Sequence, residues 1–378
     1  MDTVNVLTRP GVVGDGVHDD TAGLQAALDS GAGAVRLPVP RAHYLISRTL
    51  LMHPGQTLLA DPEALIRLAD DARVHMLTNA DHDTRTRGIT VHGGVWDGNN
   101  AHNPRGDDGD PTGYTGTAID FINVADLAIR DLTVRNPEAF SIRLGEVEDF
   151  TVEDIRFDHT AIRPNQDGIH VGGCCRGGVI RNLRALTPRT TNDDMVALNA
   201  DDDVERVLNL GMKRGPIRDI TVEGLHADDA YTLVRLLSVT ELIDNVTVSG
   251  VAGGCRLHAV NLGNWRFPVG VGNIRNVTLR DFAVRKVAWS QDGVTNEGAA
   301  QAPLVTIRLA VHNLRLEDFR REPADDLPAP TVMVDNGRRN TIRHAGTAGE
   351  TTGDRFVVPR GGFSLLTVDS ADTGDGAR

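Results

Sequence analysis

The sequence predicts one right-handed parallel β-helix, closed at its N-terminal end by a short helix. Three observations predict it. A pattern of apolar, x, apolar, x, Asp/Asn/Gly, apolar, x, apolar recurs along the middle of the chain. Each copy alternates with period 2, which is the periodicity of a strand and not of a helix. The polar or glycine position is filled by residues that tolerate left-handed backbone geometry, as a sharp bend between strands requires.

Taken in chain order, the first element is an amphipathic helix over 20–29. Leu24, Ala27 and Leu28 share one face and Gly31 stops it, so it is expected to lid the open end of a solenoid. The repeat begins weakly at Ile89-Thr-Val-His-Gly-Gly-Val95. It continues at Leu127-Ala-Ile-Arg-Asp-Leu-Thr-Val134, Phe150-Thr-Val-Glu-Asp-Ile-Arg-Phe157, Gly178-Val-Ile-Arg-Asn-Leu-Arg-Ala185 and Ile220-Thr-Val-Glu-Gly-Leu-His-Ala227. Val246-Thr-Val-Ser-Gly-Val-Ala252, Val277-Thr-Leu-Arg-Asp-Phe-Ala-Val284 and Leu314-Arg-Leu-Glu-Asp-Phe319 complete it. Its third positions (Val91, Ile129, Val152, Ile180, Val222, Val248, Leu279, Leu316) are spaced by 38, 23, 28, 42, 26, 31 and 37 residues. A minimum near 23 with longer intervals is the mark of one coil plus loops of variable length. Between the copies lie second alternating runs, such as Ser141-Ile-Arg-Leu144, Gly168-Ile-His-Val171, Met195-Val-Ala-Leu198 and Leu233-Val-Arg-Leu236. Several short strands per coil make a solenoid with Val/Ile ladders inside. The expected organisation is a cap and first coil over 1–56, the β-helix over 57–345, and C-terminal strands over 346–378. In the last part Phe356-Val-Val and Phe363-Ser-Leu-Leu-Thr-Val368 pair with the final coil and 369–378 frays.

Composition sets outer limits. The 378 residues are 40% hydrophobic and 24% charged, enough for a sizeable core, and the 40 glycines with only 4% aromatics suit many tight turns. With 39 basic and 52 acidic residues the formal charge is −13, which disfavours nucleic acid as a partner. No stretch approaches 18 apolar residues, so no membrane partner is expected. Cys174, Cys175 and Cys255 are too few and too irregular for a disulfide framework or a zinc site. The opening Met1-Asp-Thr-Val-Asn has neither a basic nor an apolar leader segment. The chain as written is thus expected to be cytoplasmic, and secreted if a signal peptide has been trimmed from it. Oligomeric state has no signature here.

Chemistry concentrates on two consecutive coils, at Asn165-Gln-Asp-Gly-Ile-His170 and Thr191-Asn-Asp-Asp-Met-Val-Ala-Leu198. Adjacent coils stack at the ordinary strand spacing of about 4.8 Å, so Asp167, Asp193 and Asp194 can converge on one face. Carboxylates this close cannot all ionise freely, which leaves one of them an acid. Strand parity turns His170, Arg143, Asn199, Arg235, Asn261 and Arg308 to the same outer face, where some are expected to contact substrate. The acidic runs Asp107-Asp-Gly-Asp110 and Asp201-Asp-Asp203 lack calcium-loop spacing and read as solvated loop acids. Neither a metal nor another cofactor is expected.

Gly14-Asp-Gly-Val-His-Asp-Asp-Thr21 and Gly93-Gly-Val-Trp-Asp-Gly98 resemble segments of the pectate-lyase-like and polygalacturonase-like β-helix proteins. The two Asp segments are more specific. They resemble the Asn-Thr-Asp-Gly and Gly-Asp-Asp segments of glycoside hydrolase family 28, with the likeness covering about residues 8–320. The resemblance implies an inverting glycosidase with a carbohydrate substrate. Asp193 is then the general acid, and Asp167 and Asp194 activate the water. Two departures stand out. Where the family has Gly-His-Gly this chain has Asp229-Ala-Tyr-Thr-Leu-Val234, so Tyr231 stands near the histidine slot and His170 is a candidate replacement. The family's carboxylate-holding Arg-Ile-Lys reads here as Val260-Asn-Leu-Gly263. Together with long insertions over 200–216, 264–272 and 286–301, this implies attack at chain ends of a sugar other than polygalacturonate. The rival readings are a uronate lyase or epimerase, and a non-catalytic, tailspike-like carbohydrate-binding β-helix. The lyase needs a Lys or Arg base and usually Ca²⁺, and lysine occurs only at Lys213 and Lys286, off the predicted cleft strands.

Overall fold

The structure is a computed structural model that describes residues 2–107, 112–201, 204–288, 299–325, 327–346, 349–352 and 355–371. Its chain winds as a right-handed parallel β-helix. Nearly all neighbouring strands pair in parallel, each with the equivalent strand of the next coil. The third positions of the repeat form one ladder. Val35, Leu58 and Val91 are in register, and Val91 is followed rung by rung by Ile129, Val152, Ile180, Val222, Val248, Leu279 and Leu316. From Val91 onward every one of these eight residues is 0% exposed. A second ladder runs Ile142, Ile169, Val196, Val234, Val260, Val305, Val332 on another face. The solenoid interior is therefore a dry column of branched aliphatics, and truncating one rung to alanine there costs about 2–5 kcal/mol.

The bend expected in each repeat is present. Gly93, Asp131, Asp154, Asn182, Gly224, Gly250, Asp281 and Asp318 all have φ between 49° and 83°. A second left-handed column, five residues earlier in each coil, has no counterpart in the sequence reading. It comprises Gly88, Asp126, Asp149, Gly177, Asp219, Asn245, Asn276 and Asn313. Here Asn side chains bond up the stack: the Nδ2 of Asn276 donates to Asp244 Oδ1 at 2.8 Å, and that of Asn313 donates to Asn276 Oδ1 at 2.9 Å. Short polar side chains serve twice, by tolerating the αL bend and by satisfying one another along it.

Parallel pairing extends to the N-terminal side of residue 57, where Ala34–Leu37 pairs with Thr3–Asn5 below and Thr57–Ala60 above. The helix Thr21–Leu28 covers this end, with Leu24, Ala27 and Leu28 buried. At the other end the pairing turns antiparallel after Val332–Val334. Arg355–Val358 pairs with that strand, and Phe363–Ser370 pairs with both Val311–Arg321 and Asn340–Gly346. Reversing strand direction ends the ladder and protects its last edge. Of 369–378, expected to fray, Asp369 and Ser370 instead belong to the last strand, while 372–378 lie outside the described residues. No helix among the described residues is long and apolar enough to cross a membrane.

Candidate active site

One outer face of the stack carries the chemistry. Successive coils place Arg143, His170, Ala197, Arg235, Asn261 and Thr306 in one outward row, each in register with the next. At the start of the same strands, Asp194 is in register with Thr232 and Thr232 with His258. The loops above this face enclose a cavity of about 630 Å³.

Asp167, Asp193 and Asp194 meet at that cavity, with one carboxylate oxygen from each lying within 4.8 Å of the others. Asp167 is fixed from two sides. The His170 Nδ1 lies 2.7 Å from its Oδ2, and the Asp194 backbone N–H donates to its Oδ1 at 3.3 Å. The Arg235 guanidinium reaches within 3.9 Å of Asp194. Asn165 donates from Nδ2 to Asp193 Oδ2 at 3.1 Å, so the Asn of the first motif holds the Asp of the second across the coil step. Among the described residues this is the only group of His, Cys, Asp and Glu side chains close enough to ligate a metal ion.

The segment that presents Asp193 is pinned by its neighbours. Asn192 donates to the Arg163 carbonyl at 3.0 Å and accepts from Arg256 at 2.7 Å. The backbone N–H of Tyr231 bonds the Thr191 carbonyl at 2.8 Å. Gln166 is wholly buried and bonds the carbonyls of Pro137 and Ala161, which locks the loop before Asp167.

The remaining residues expected at the site divide in two. His170, Asn199, Tyr231, Arg235, Asn261 and Arg308 line the cavity. His170 is only 1% exposed, sandwiched against Phe140 at 4.0 Å between ring centroids, so its first partner is Asp167 and not solvent. Asn261 accepts the Gly263 N–H at 2.8 Å, tying down the start of the following loop. Arg308 makes no side-chain hydrogen bond or ion pair among the described residues, and its Nε is buried. Arg143 does not line the cavity, and its expected substrate contact is corrected here. It is 1% exposed, forms a two-pronged pair with Asp120 at 2.8 Å on each prong, and donates to the Leu208 carbonyl at 2.7 Å. The acidic run at 201–203 also reads differently. Asp201 is buried and accepts the backbone N–H groups of Val239, Thr240 and Glu241, while 202 and 203 lie outside the described residues.

Sequence reasoning placed the walls on the insertions but did not name the residues that form them. Arg206 and Leu208 enter from the 200–216 insertion, and Asn264 and Trp265 from the 264–272 insertion. Arg206 stacks over the Trp265 ring at 5.2 Å, joining the two loops, and Trp265 remains 51% exposed. Ala302 and Pro303 close a third side just after the 286–301 insertion, of which 289–298 lie outside the described residues. The coil beside Tyr231 also brings in a residue that the sequence reading did not name. The register puts Arg256-Leu257-His258 beside 230–232, and His258 lines the cavity. The Arg256 guanidinium is turned away, bonding the Asp229 carbonyl and Asn192, and burial lowers its pKa. Adding the 26-residue interval between Val222 and Val248 to Thr232 points to His258.

Comparison with known proteins places this geometry. Residues 75–307 match the model of glycosyl hydrolases family 28, well over half of the 378-residue chain. The family 28 exopolygalacturonase of Yersinia enterocolitica superposes with a TM-score of 0.58 at 15% identity, over 88% of this chain and 67% of that one. A mannuronan C-5 epimerase module of Azotobacter vinelandii gives 0.54 at 15% identity, over 88% of this chain and 90% of that one. The tailspike protein of E. coli bacteriophage HK620, solved with a pentasaccharide, gives 0.53 at 12% identity, over 98% and 94%. At these identities the three structures share the fold.

Proposed function

The chain belongs to glycosyl hydrolases family 28, and we propose that it hydrolyses an O-glycosidic bond at a chain end, with inversion at the anomeric carbon. The observation that carries the reading is the convergence of Asp167, Asp193 and Asp194 within 4.8 Å at a walled cavity. Of three carboxyl groups this close, one keeps its proton. Asp193 delivers that proton to the leaving oxygen. Asp167 and Asp194, flanked by His170 and Arg235, take up the proton of the attacking water. A water that donates to two acceptors at about 2.7 Å each, at a tetrahedral angle, separates them by about 4.4 Å, so this spacing suits a shared water.

Chain-end attack rests on the walls. Arg206 and Trp265 join two insertions across the face, and Pro303 stands on a third side. A cavity of about 630 Å³ suits one or two sugar rings. Neither lysine lines it. Lys213 pairs with Glu146 outside, and the Lys286 amine bonds backbone carbonyls behind the cleft. That favours hydrolysis over a lysine-based elimination. The test is product analysis on a panel of oligosaccharides and polygalacturonate. New reducing ends with monosaccharide or disaccharide released from the start are expected. Unsaturated, ultraviolet-absorbing products would replace the reading with a lyase. A mixed ladder from polygalacturonate with a rapid fall in viscosity would overturn chain-end attack.

A further inference from the structure

His258 has no assigned role, and its surroundings restrict what it can do. It lines the cavity, is 9% exposed, and sits two coils along from Asp194 in the same register row. Its Nδ1 lies 2.6 Å from the Pro303 carbonyl oxygen. A carbonyl only accepts, so Nδ1 carries the hydrogen and Nε2 is the ring's open lone pair. Nε2 makes no hydrogen bond to the described residues.

The ring is held by a buried scaffold. The Lys286 amine donates to the carbonyls of Arg256 and Leu257, the two residues before His258, at 3.0 and 2.5 Å. The Lys286 backbone N–H bonds Asp325, which is locked to Arg321 by a second buried pair. Arg256 in turn reaches Asn192, next to Asp193. Burial, with the positive charges of Lys286 and Arg235 behind it, pushes the His258 pKa down to about 3, against the opposing pull of the Pro303 carbonyl. The imidazole thus presents a fixed acceptor, in one tautomer, across the working pH range.

We propose that His258 is a specificity-determining residue whose Nε2 accepts a hydrogen bond from a ring hydroxyl of the sugar bound beside Asp193 and Asp194. The inference rests on the glycosidase reading and deepens it by naming the substrate chemistry at this position. A hydroxyl donates to Nε2. A deoxy carbon cannot, and leaves a buried acceptor unpaired. A carboxylate sets lone pair against lone pair. The ligand class is therefore a sugar with a free hydroxyl at the point facing His258. Lys286 is a positioning residue for that contact.

Two arms test it. On the aryl glycoside the enzyme hydrolyses best, we expect one of its monodeoxy analogues to lose at least about 10²-fold in kcat/KM, because a site built to bind a hydroxyl rejects its absence. His258→Leu should lower kcat/KM for the parent glycoside and abolish the discrimination against that analogue, and His258→Gln, which keeps an acceptor, should restore part of it. Uniform tolerance of every monodeoxy analogue by the natural enzyme, or unchanged discrimination in His258→Leu, overturns the proposal. The second arm needs no turnover. The 15N spectrum of histidine-labelled, sugar-free enzyme at pH 5 should show His258 neutral with hydrogen on Nδ1. An imidazolium or the opposite tautomer overturns the proposal even if the enzyme is a glycosidase. Failure to hydrolyse any glycoside, with the spectrum as expected, counts against the glycosidase reading alone.

Discussion

The outward row of the stack has a closed half and an open half, and arginines of the same strand parity behave oppositely in them. In the closed half Asp120 lies in register with Arg143, so the two pair, and the Leu208 carbonyl seals them. In the open half the neighbours of Arg235 in register are Ala197 and Asn261, and Arg308 follows two residues after Thr306. With no carboxylate in register beside them, these guanidinium groups face the cavity, where that of Arg235 lies 3.9 Å from Asp194. Parity decides which side of a sheet a residue occupies. The residue one coil away decides whether it is available to a ligand.

Four changes would break or sharpen that contrast. The largest effect is expected in the open half. Asp193→Asn should lower kcat by about 10²- to 10⁴-fold, the usual worth of general acid catalysis, and circular dichroism and Tm should remain those of the natural protein. Next comes the closed half. Arg143→Met leaves Asp120 buried with only His75, 3.4 Å away, beside it and should cost about 3–5 kcal/mol in a denaturant titration. The Arg143→Met, Asp120→Leu double variant should recover most of that loss. If Arg143→Met instead raised KM at unchanged stability, the division into halves would be wrong. Arg308→Gln removes a cavity-facing guanidinium that supports no other residue. It should move stability by no more than about 0.5 kcal/mol and show instead as a raised KM.

A further effect is graded with pH. His75 in the closed half is pushed down to about 4 and His159 to about 3, chiefly by burial, and His258 in the open half likewise to about 3. Each is neutral when folded and takes up a proton near 6.5 when unfolded. Their shared contribution is full above that value and is lost as pH falls toward 3–4. Tm should decline across this window, and His258→Gln should flatten the decline without removing it. A Tm independent of pH between 6.5 and 4 would mean that these rings are not held neutral.

Much of this was readable in one dimension because its causes are local. Alternation and αL-tolerant residues are properties of a few adjacent positions, so the ladder through Val152 and Ile180 and the bends at Asp154 and Asn182 could be named from sequence. The Asp167 and Asp193–Asp194 segments were legible as motifs. What was missed depends on contacts between coils. Subtracting the 23-residue interval between Ile129 and Val152 from Arg143 lands on Asp120, the partner that closes it. The same arithmetic, adding the 26-residue interval between Val222 and Val248 to Thr232, finds His258. Arg206 and Trp265 arrive on insertions, where no repeat interval predicts a neighbour. The second column of left-handed residues escaped because it falls between the two strand patterns that were sought.

The central claim is the division of labour among the three carboxylates. Oxygens within 4.8 Å lie nearer the about 5–5.5 Å of retaining pairs than the about 6.5–9.5 Å usual for inverting ones. Inversion is assigned nonetheless, because Asp167 and Asp194 both hold the attacking water and neither is left to attack the anomeric carbon. Proton NMR of the first product formed, recorded before mutarotation, separates the two directly. The account predicts the anomer opposite to that of the substrate. The same anomer, formed through a covalent glycosyl–enzyme intermediate, would contradict it.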